Sequence, residues 1–421
     1  MKTVFSFFLL IFIFTNSALC AGKLLIPMDF SQRDHLKAYG VAFWTVKQAG
    51  KTEWLLNYRH GSFMCDHYEQ LERLCRLRGV TYEVLGGAQV TQIYAEIEEA
   101  NMEVIPLEKA PKIAVYAPSW YQPWDDAVLM ALKYSEIPYE QIYDDEVLHG
   151  TLSDYDWLHL HHEDFTGQLG KFFRSYKNAD WYREHQARDE ARTKEWGFGS
   201  VSELKKTVAL EISKYVEKGG FLFAMCSGTD SYDIALSAIG VDIVASPFDG
   251  DPPDPTAQQK LNFTRTLAFK DFKIVFDPNI YEFSDIDMTK DSGRGLRGES
   301  GDYFTLFEFS AKYDPVPTML TQCHTSVVKG FMGQTTSFRR SLVKQSAVVM
   351  GEYEGRDEVK YIHGNLGKGF WTFYAGHDPE DYRHMVGDPP TNLELHKNSP
   401  GYRLILNNVL FPAAKKKKLK T

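Results

Sequence analysis

The stretch Gly219-Gly220-Phe221-Leu222-Phe223-Ala224-Met225-Cys226-Ser227-Gly228-Thr229-Asp230-Ser231 decides how the chain is read. Five apolar residues after a Gly-Gly pair read as a buried parallel strand. Tyr232 to Ile239 then reads as a helix that stops at Gly240. Cys226 therefore falls at a sharp strand-to-helix turn, the place where α/β hydrolytic folds hold a nucleophile over the carboxyl ends of their strands. The amides of Ser227 and Gly228 would open the helix and face a developing oxyanion. The plainer alternative is a small buried thiol that closes a strand.

Working outward, 421 residues suffice for two or more domains with full cores. A hydrophobic share of 43% and an aromatic share of 14% belong to a folded chain. The formal net charge of −9 argues against general nucleic-acid binding. The one basic block, Lys415 to Lys418, reads as a solvated tail.

Lys2, the apolar run Val4 to Phe14 and the small residues Ser17-Ala18-Leu19-Cys20-Ala21 form a secretory signal, too short to span a membrane well. Cleavage near Ala21 predicts an exported protein, periplasmic or secreted, with no integral membrane span. Of the remaining cysteines, Cys65 and Cys75 are expected on one helix, roughly 15 Å apart and beyond disulfide reach. Mostly free thiols are expected.

Strand and helix patterns alternate from 22 to 110 and predict a small α/β unit, with Glu108-Lys109-Ala110-Pro111 as its boundary. Residues 111–249 repeat the alternation and predict the first part of a doubly wound parallel sheet. Within it, Phe165 to Phe198 reads as a helical lid or insertion. Residues 250–360 read as a β-rich elaboration. Residues 361–412 return a last core strand, Gly369 to Gly376, and a closing helix from Tyr402 to Phe411; 413–421 is the basic tail.

Three strand ends carry chemistry: Cys226; His377-Asp378-Pro379-Glu380; and His161-His162-Glu163-Asp164. In a parallel sheet such ends share one edge. A cysteine nucleophile, His377 as base and Glu380 (or Asp378) as the acid that orients it would make a hydrolase triad. His161, His162, Glu163 and Asp164 would line the ligand site. His159 is expected on the other side of the sheet in a structural role. His161 to Asp164 with His377 also offer ligands for a divalent metal, a reading admitted but not favoured, so no cofactor is expected.

The segment Ala224-Met225-Cys226-Ser227-Gly228 resembles the Gly-x-Cys-x-Gly nucleophile motif of the class I glutamine amidotransferase-like superfamily, with alanine for the first glycine. Gly367-Lys368-Gly369-Phe370 to His377-Asp378-Pro379-Glu380 is similar to the ending of its ThuA-like branch. The resemblance implies a flavodoxin-like α/β fold over roughly residues 110–245 and 360–412. The whole chain also resembles exported Bacteroidetes-type proteins commonly labelled asparagine synthetase B. Here Ser227-Gly228-Thr229-Asp230-Ser231 is one residue short of the ATP loop of such synthetases, so synthetase chemistry is not expected. The expected function is a Cys-His-dependent amide or ester hydrolase acting on a small molecule. The alternatives are a non-catalytic binder of a carbohydrate-like ligand and a metal-dependent sugar-modifying enzyme. The aromatic stretches Trp120 to Trp124 and Tyr176 to Trp181 motivate the binder, since such rings stack on sugars.

Overall fold

A computed structural model describes residues 22–120 and 124–414. The signal segment, Cys20 and the block Lys415 to Lys418 lie outside the described residues, as do Tyr121 to Pro123. The chain is a mixed α/β protein built on two sheets.

The first sheet is antiparallel and five-stranded, with spatial order β4-β1-β3-β2-β5. Its strands are β1 (Lys23–Ile26), β2 (Thr52–Leu56), β3 (Ser62–Asp66), β4 (Glu83–Leu85) and β5 (Glu103–Leu107). Alternation divides each strand between two faces. Leu24, Ile26, Trp54 and Phe63 face the helix His35–Lys47 and the main core. Leu25, Leu55 and Met64 face Ile93 and Ile97 of the helix Gly87–Glu99. Cys65 lies in β3 and Cys75 in the helix Glu69–Arg78, so the two do not share a helix. The helical spacing of Tyr68, Leu71 and Leu74 runs directly on from β3, which hid the strand. All four cysteines among the described residues are free.

The second sheet has ten strands. Its parallel half comprises β6 (Ile113–Tyr116), β7 (Glu140–Ile142), β8 (Trp157–Leu160), β9 (Phe221–Met225) and β15 (Gly369–Tyr374), in spatial order β7-β6-β8-β9-β15. Its antiparallel half comprises β10 (Tyr303–Leu306), β11 (Val327–Lys329), β12 (Phe338–Arg339), β13 (Val348–Glu352) and β14 (Glu358–Leu366). The stretch 250–360 thus supplies strands to the core sheet instead of forming a separate layer.

The all-apolar run of β9 is explained by burial on both faces. Phe221, Phe223 and Met225 pack into a core shared with the helices His35–Lys47, Ala127–Ser135 and Pro400–Leu410. Leu222 and Ala224 pack against the helix Val201–Lys218 on the other side. Each such large side chain contributes about 1.5–3 kcal/mol by leaving water. The sheet is therefore rigid where β8, β9 and β15 end, and those ends carry the site. Among the described residues no helix is long and apolar enough to cross a membrane.

Candidate functional site

Cys226 caps the helix Ser227–Ser237 with φ 49° and ψ −139°. Positive φ at a non-glycine residue is costly, on the order of 1–3 kcal/mol, and persists only when its surroundings enforce it. Here they do. The Cys226 amide donates to the Gly376 carbonyl at 3.1 Å, and the Cys226 carbonyl accepts from the Thr229 amide at 3.2 Å and the Thr229 hydroxyl at 2.6 Å. The Ser227 and Gln334 amides donate to the thiol. Burial nonetheless pushes that thiol up to about 12. The Gly228 amide is used elsewhere: it donates to the His161 carbonyl at 2.5 Å. The second donor beside the sulfur is therefore Gln334, which no sequence signal marked.

His377 follows β15 through Gly376, whose φ of 93° turns the chain toward Cys226. His377 Nδ1 and His161 Nε2 are hydrogen-bonded at 3.1 Å. His161 Nδ1 in turn lies 3.2 Å from Asp126 Oδ1, and His159 Nε2 lies 3.3 Å from Asp126 Oδ2. His159 and His161 thus share one carboxylate. Residues two apart on a strand point to the same face, so His159 does not turn away.

Asp126 is also the N-cap of the helix Ala127–Ser135, accepting from the Val128 amide at 2.8 Å and the Leu129 amide at 3.0 Å. Burial works to raise its carboxyl, but His159 and His161 outweigh that and hold it well below the usual carboxylate range. His377 is pushed well below the ordinary imidazole value, first by burial and then by His161, His384 and His162. The His384 ring stacks on His377 at 4.0 Å between centroids, and His162 stacks at 5.7 Å. His161 and His377 therefore adjoin the thiol, with Asp126 behind His161 and the buried carboxyls of Asp230 and Asp287 also acting on the sulfur.

The acids expected to orient His377 face elsewhere. Glu380 Oε2 lies 3.0 Å from His396 Nδ1. Asp378 accepts from the Tyr402 hydroxyl at 2.9 Å and the Thr391 hydroxyl at 2.6 Å. Asp164 staples its own loop, accepting from the amides of Thr166 and Gln168 at 2.7 Å each and of Gly170 at 3.1 Å. Glu163 accepts from the Tyr143 hydroxyl at 3.2 Å. With His162, Trp124, Phe172 and Lys205, Glu163 and Asp164 line a small cavity beside the histidines. Trp124 packs against His162, Phe172 and Trp181 at 5.1–5.6 Å and roofs that cavity. Asp126 is of a residue type that caps helices, but nothing in the sequence marks its contact with histidines at another strand's end.

The donor atoms of His161, Cys226 and His377 all lie within 4.8 Å of one another. The largest groove among the described residues is remote from them. It runs past Asp156, Gly219 and Phe221, at the amino ends of β8 and β9.

No family model matches the chain, and no curated protein matches it. Among solved structures, the chain is similar to the cytoplasmic proteins STM3548 and STM1381 of Salmonella typhimurium. These share 10% and 14% identity, each with a TM-score of 0.34, over 72% of this chain and 100% of theirs. A β-galactosidase from Bacillus circulans sp. alkalophilus aligns at 10% identity and a TM-score of 0.26, over 69% of this chain and 31% of its own. Likenesses this slight bear on neither fold nor chemistry.

Proposed function

We propose that the chain is a cysteine-dependent hydrolase of amides or esters, with Cys226 as nucleophile and His377 as base. The observation that carries this reading is the strained Cys226 backbone at the end of β9, meeting His377 from β15 and His161 from β8. Such an elbow holds a nucleophile clear of its own strand. His161 and Asp126 take the role that the sequence suggested for Glu380, orienting His377 and balancing its charge.

In the first step the Cys226 sulfur forms a bond to the substrate carbonyl carbon while His377 accepts the thiol proton. The Ser227 and Gln334 amides stabilise the oxyanion. Collapse breaks the bond to the amine or alcohol, which leaves with the proton from His377. Water, deprotonated by His377, then cleaves the thioester and restores the thiol.

The parallel strands run 2-1-3-4-5 in chain order, the doubly wound flavodoxin-like order, and ligands of such sheets sit at the carboxyl ends of the strands. That order supports reading the core as class I amidotransferase-like. Export to the periplasm or medium belongs to the same proposal, and amino-terminal sequencing of protein recovered from those compartments tests it. Cys226→Ala on a panel of small amides and esters tests the chemistry: hydrolysis should fall at least a thousandfold.

One observation favours a second reading. Cys226 is only 3% exposed. A protein that kept the fold to bind a small ligand would look the same, and it would bind equally well with alanine at 226.

A further inference from the structure

We propose that His161, Cys226 and His377 form a binding site for a zinc-like transition-metal ion. One thiolate and two imidazoles are the donor set such ions take when a fourth position stays open. The three side chains come from the ends of three neighbouring strands, β8, β9 and β15, and their donor atoms already lie within 4.8 Å of one another. Tetrahedral ligands at zinc distances stand roughly 3.3–3.6 Å apart, so closing on an ion requires side-chain shifts of about 1 Å. The two imidazole nitrogens are nearly there, at 3.1 Å.

Two further observations point to a missing cation. His377 Nδ1 and His161 Nε2, the nitrogens that would bind the ion, are held together by a single shared proton. A metal ion in place of that proton would bind both rings. Asp126 stands behind His161, 3.2 Å from its Nδ1, as the outer carboxylate that metal-bound histidines commonly contact. The set differs from the acid-rich one suggested by sequence, because Glu163 and Asp164 are committed to Tyr143 and to their own loop.

The site does not rest on the hydrolase reading, but it has a consequence for it. A metal-bound sulfur cannot attack a carbonyl, so metal occupancy and Cys226 reactivity exclude each other.

The test titrates the purified full chain with cobalt(II) alone, followed by zinc competition against a chromophoric chelator. One ion per chain is expected, with a near-ultraviolet sulfur-to-cobalt charge-transfer band and zinc protection of Cys226 from alkylation. Cys226→Ala and His161→Ala should each weaken binding at least a hundredfold, and Asp126→Asn should weaken it ten- to a hundredfold. Asp249→Asn, in the partly exposed acidic group with Asp242 and Asp251, should change nothing. If the alanine variants fail to fold, zinc protection of Cys226 from alkylation in the unaltered chain, read peptide by peptide against the other free cysteines, still decides. Absence of that band, or binding that survives Cys226→Ala and falls with Asp249→Asn, overturns the site. Either result stands apart from whether any ester is hydrolysed.

Discussion

His161 and His377 lie just past the ends of different strands, 216 residues apart, yet their rings are hydrogen-bonded at 3.1 Å. His161 thereby links His377 to the Asp126 carboxylate, 3.2 Å from its other nitrogen. The orienting acid is thus one imidazole removed from the base. Asp126→Asn should slow Cys226-dependent hydrolysis ten- to a thousandfold, and its lost charge at the helix N-terminus should lower stability by about 0.3–1 kcal/mol. Glu380→Gln should leave the rate within about twofold, since that carboxylate serves His396. Steady-state rates of the two variants separate these roles; equal losses would remove the relay.

Gly228 lets the two strand ends meet. A Cβ at this position would stand 2.5 Å from the His161 carbonyl oxygen, which is backbone and cannot swing aside. Gly228→Ala should therefore cost about 1–3 kcal/mol and part His161 from Cys226. Thermal unfolding reads the first effect, and loss of hydrolysis out of proportion to stability reads the second.

Lys205 is buried between Asp144, at 3.0 Å, and the Tyr143 hydroxyl, at 2.9 Å. Replacing only the lysine leaves a carboxylate uncompensated in the core. Lys205→Met should destabilise by about 3–5 kcal/mol, while Lys205→Met with Asp144→Leu should recover much of that loss. Chemical denaturation of the single and double variants measures the difference.

Far from the site, His35 stacks on His324 with ring centroids 4.3 Å apart. Burial, then Arg403, lowers His35 to about 4. Burial, His35 and Arg403 lower His324 to about 3. Both rings are neutral in the fold, and each unfolded ring gains a proton near pH 6.5. Their contribution is complete above that pH and is lost as pH falls from about 6.5 toward 4. For His35 the loss is on the order of 2–3 kcal/mol. Unfolding midpoints from pH 7 to 4 should fall, and His35→Gln should flatten the slope.

Cys226 was legible because local sequence decides its place. An apolar run ending in Cys-Ser-Gly demands a buried strand and a tight turn, and the Gly376-His377 pair marks a second strand end in the same way. β3 was not legible, because Phe63 to Asp66 runs straight into a helical pattern and its partners β1 and β2 lie elsewhere in the chain. Antiparallel pairing of β10 to β14 likewise depends on distant partners. Asp126 carries the ordinary mark of a helix cap. Nothing around it announces two histidines more than thirty residues away. Glu380 stands near His377 in sequence, but its carboxylate meets His396 instead.

The most direct measurement is the rate of Cys226 alkylation by iodoacetamide across pH 4 to 9, in the unaltered chain and in His377→Ala. If His377 draws the proton, the unaltered rate levels off below the free-thiol range of about 8.5 and exceeds that of the variant at least tenfold at neutral pH. The variant should climb without levelling across this range. Identical, steadily climbing profiles in both proteins would contradict the Cys226–His377 pair and leave the fold as a ligand binder.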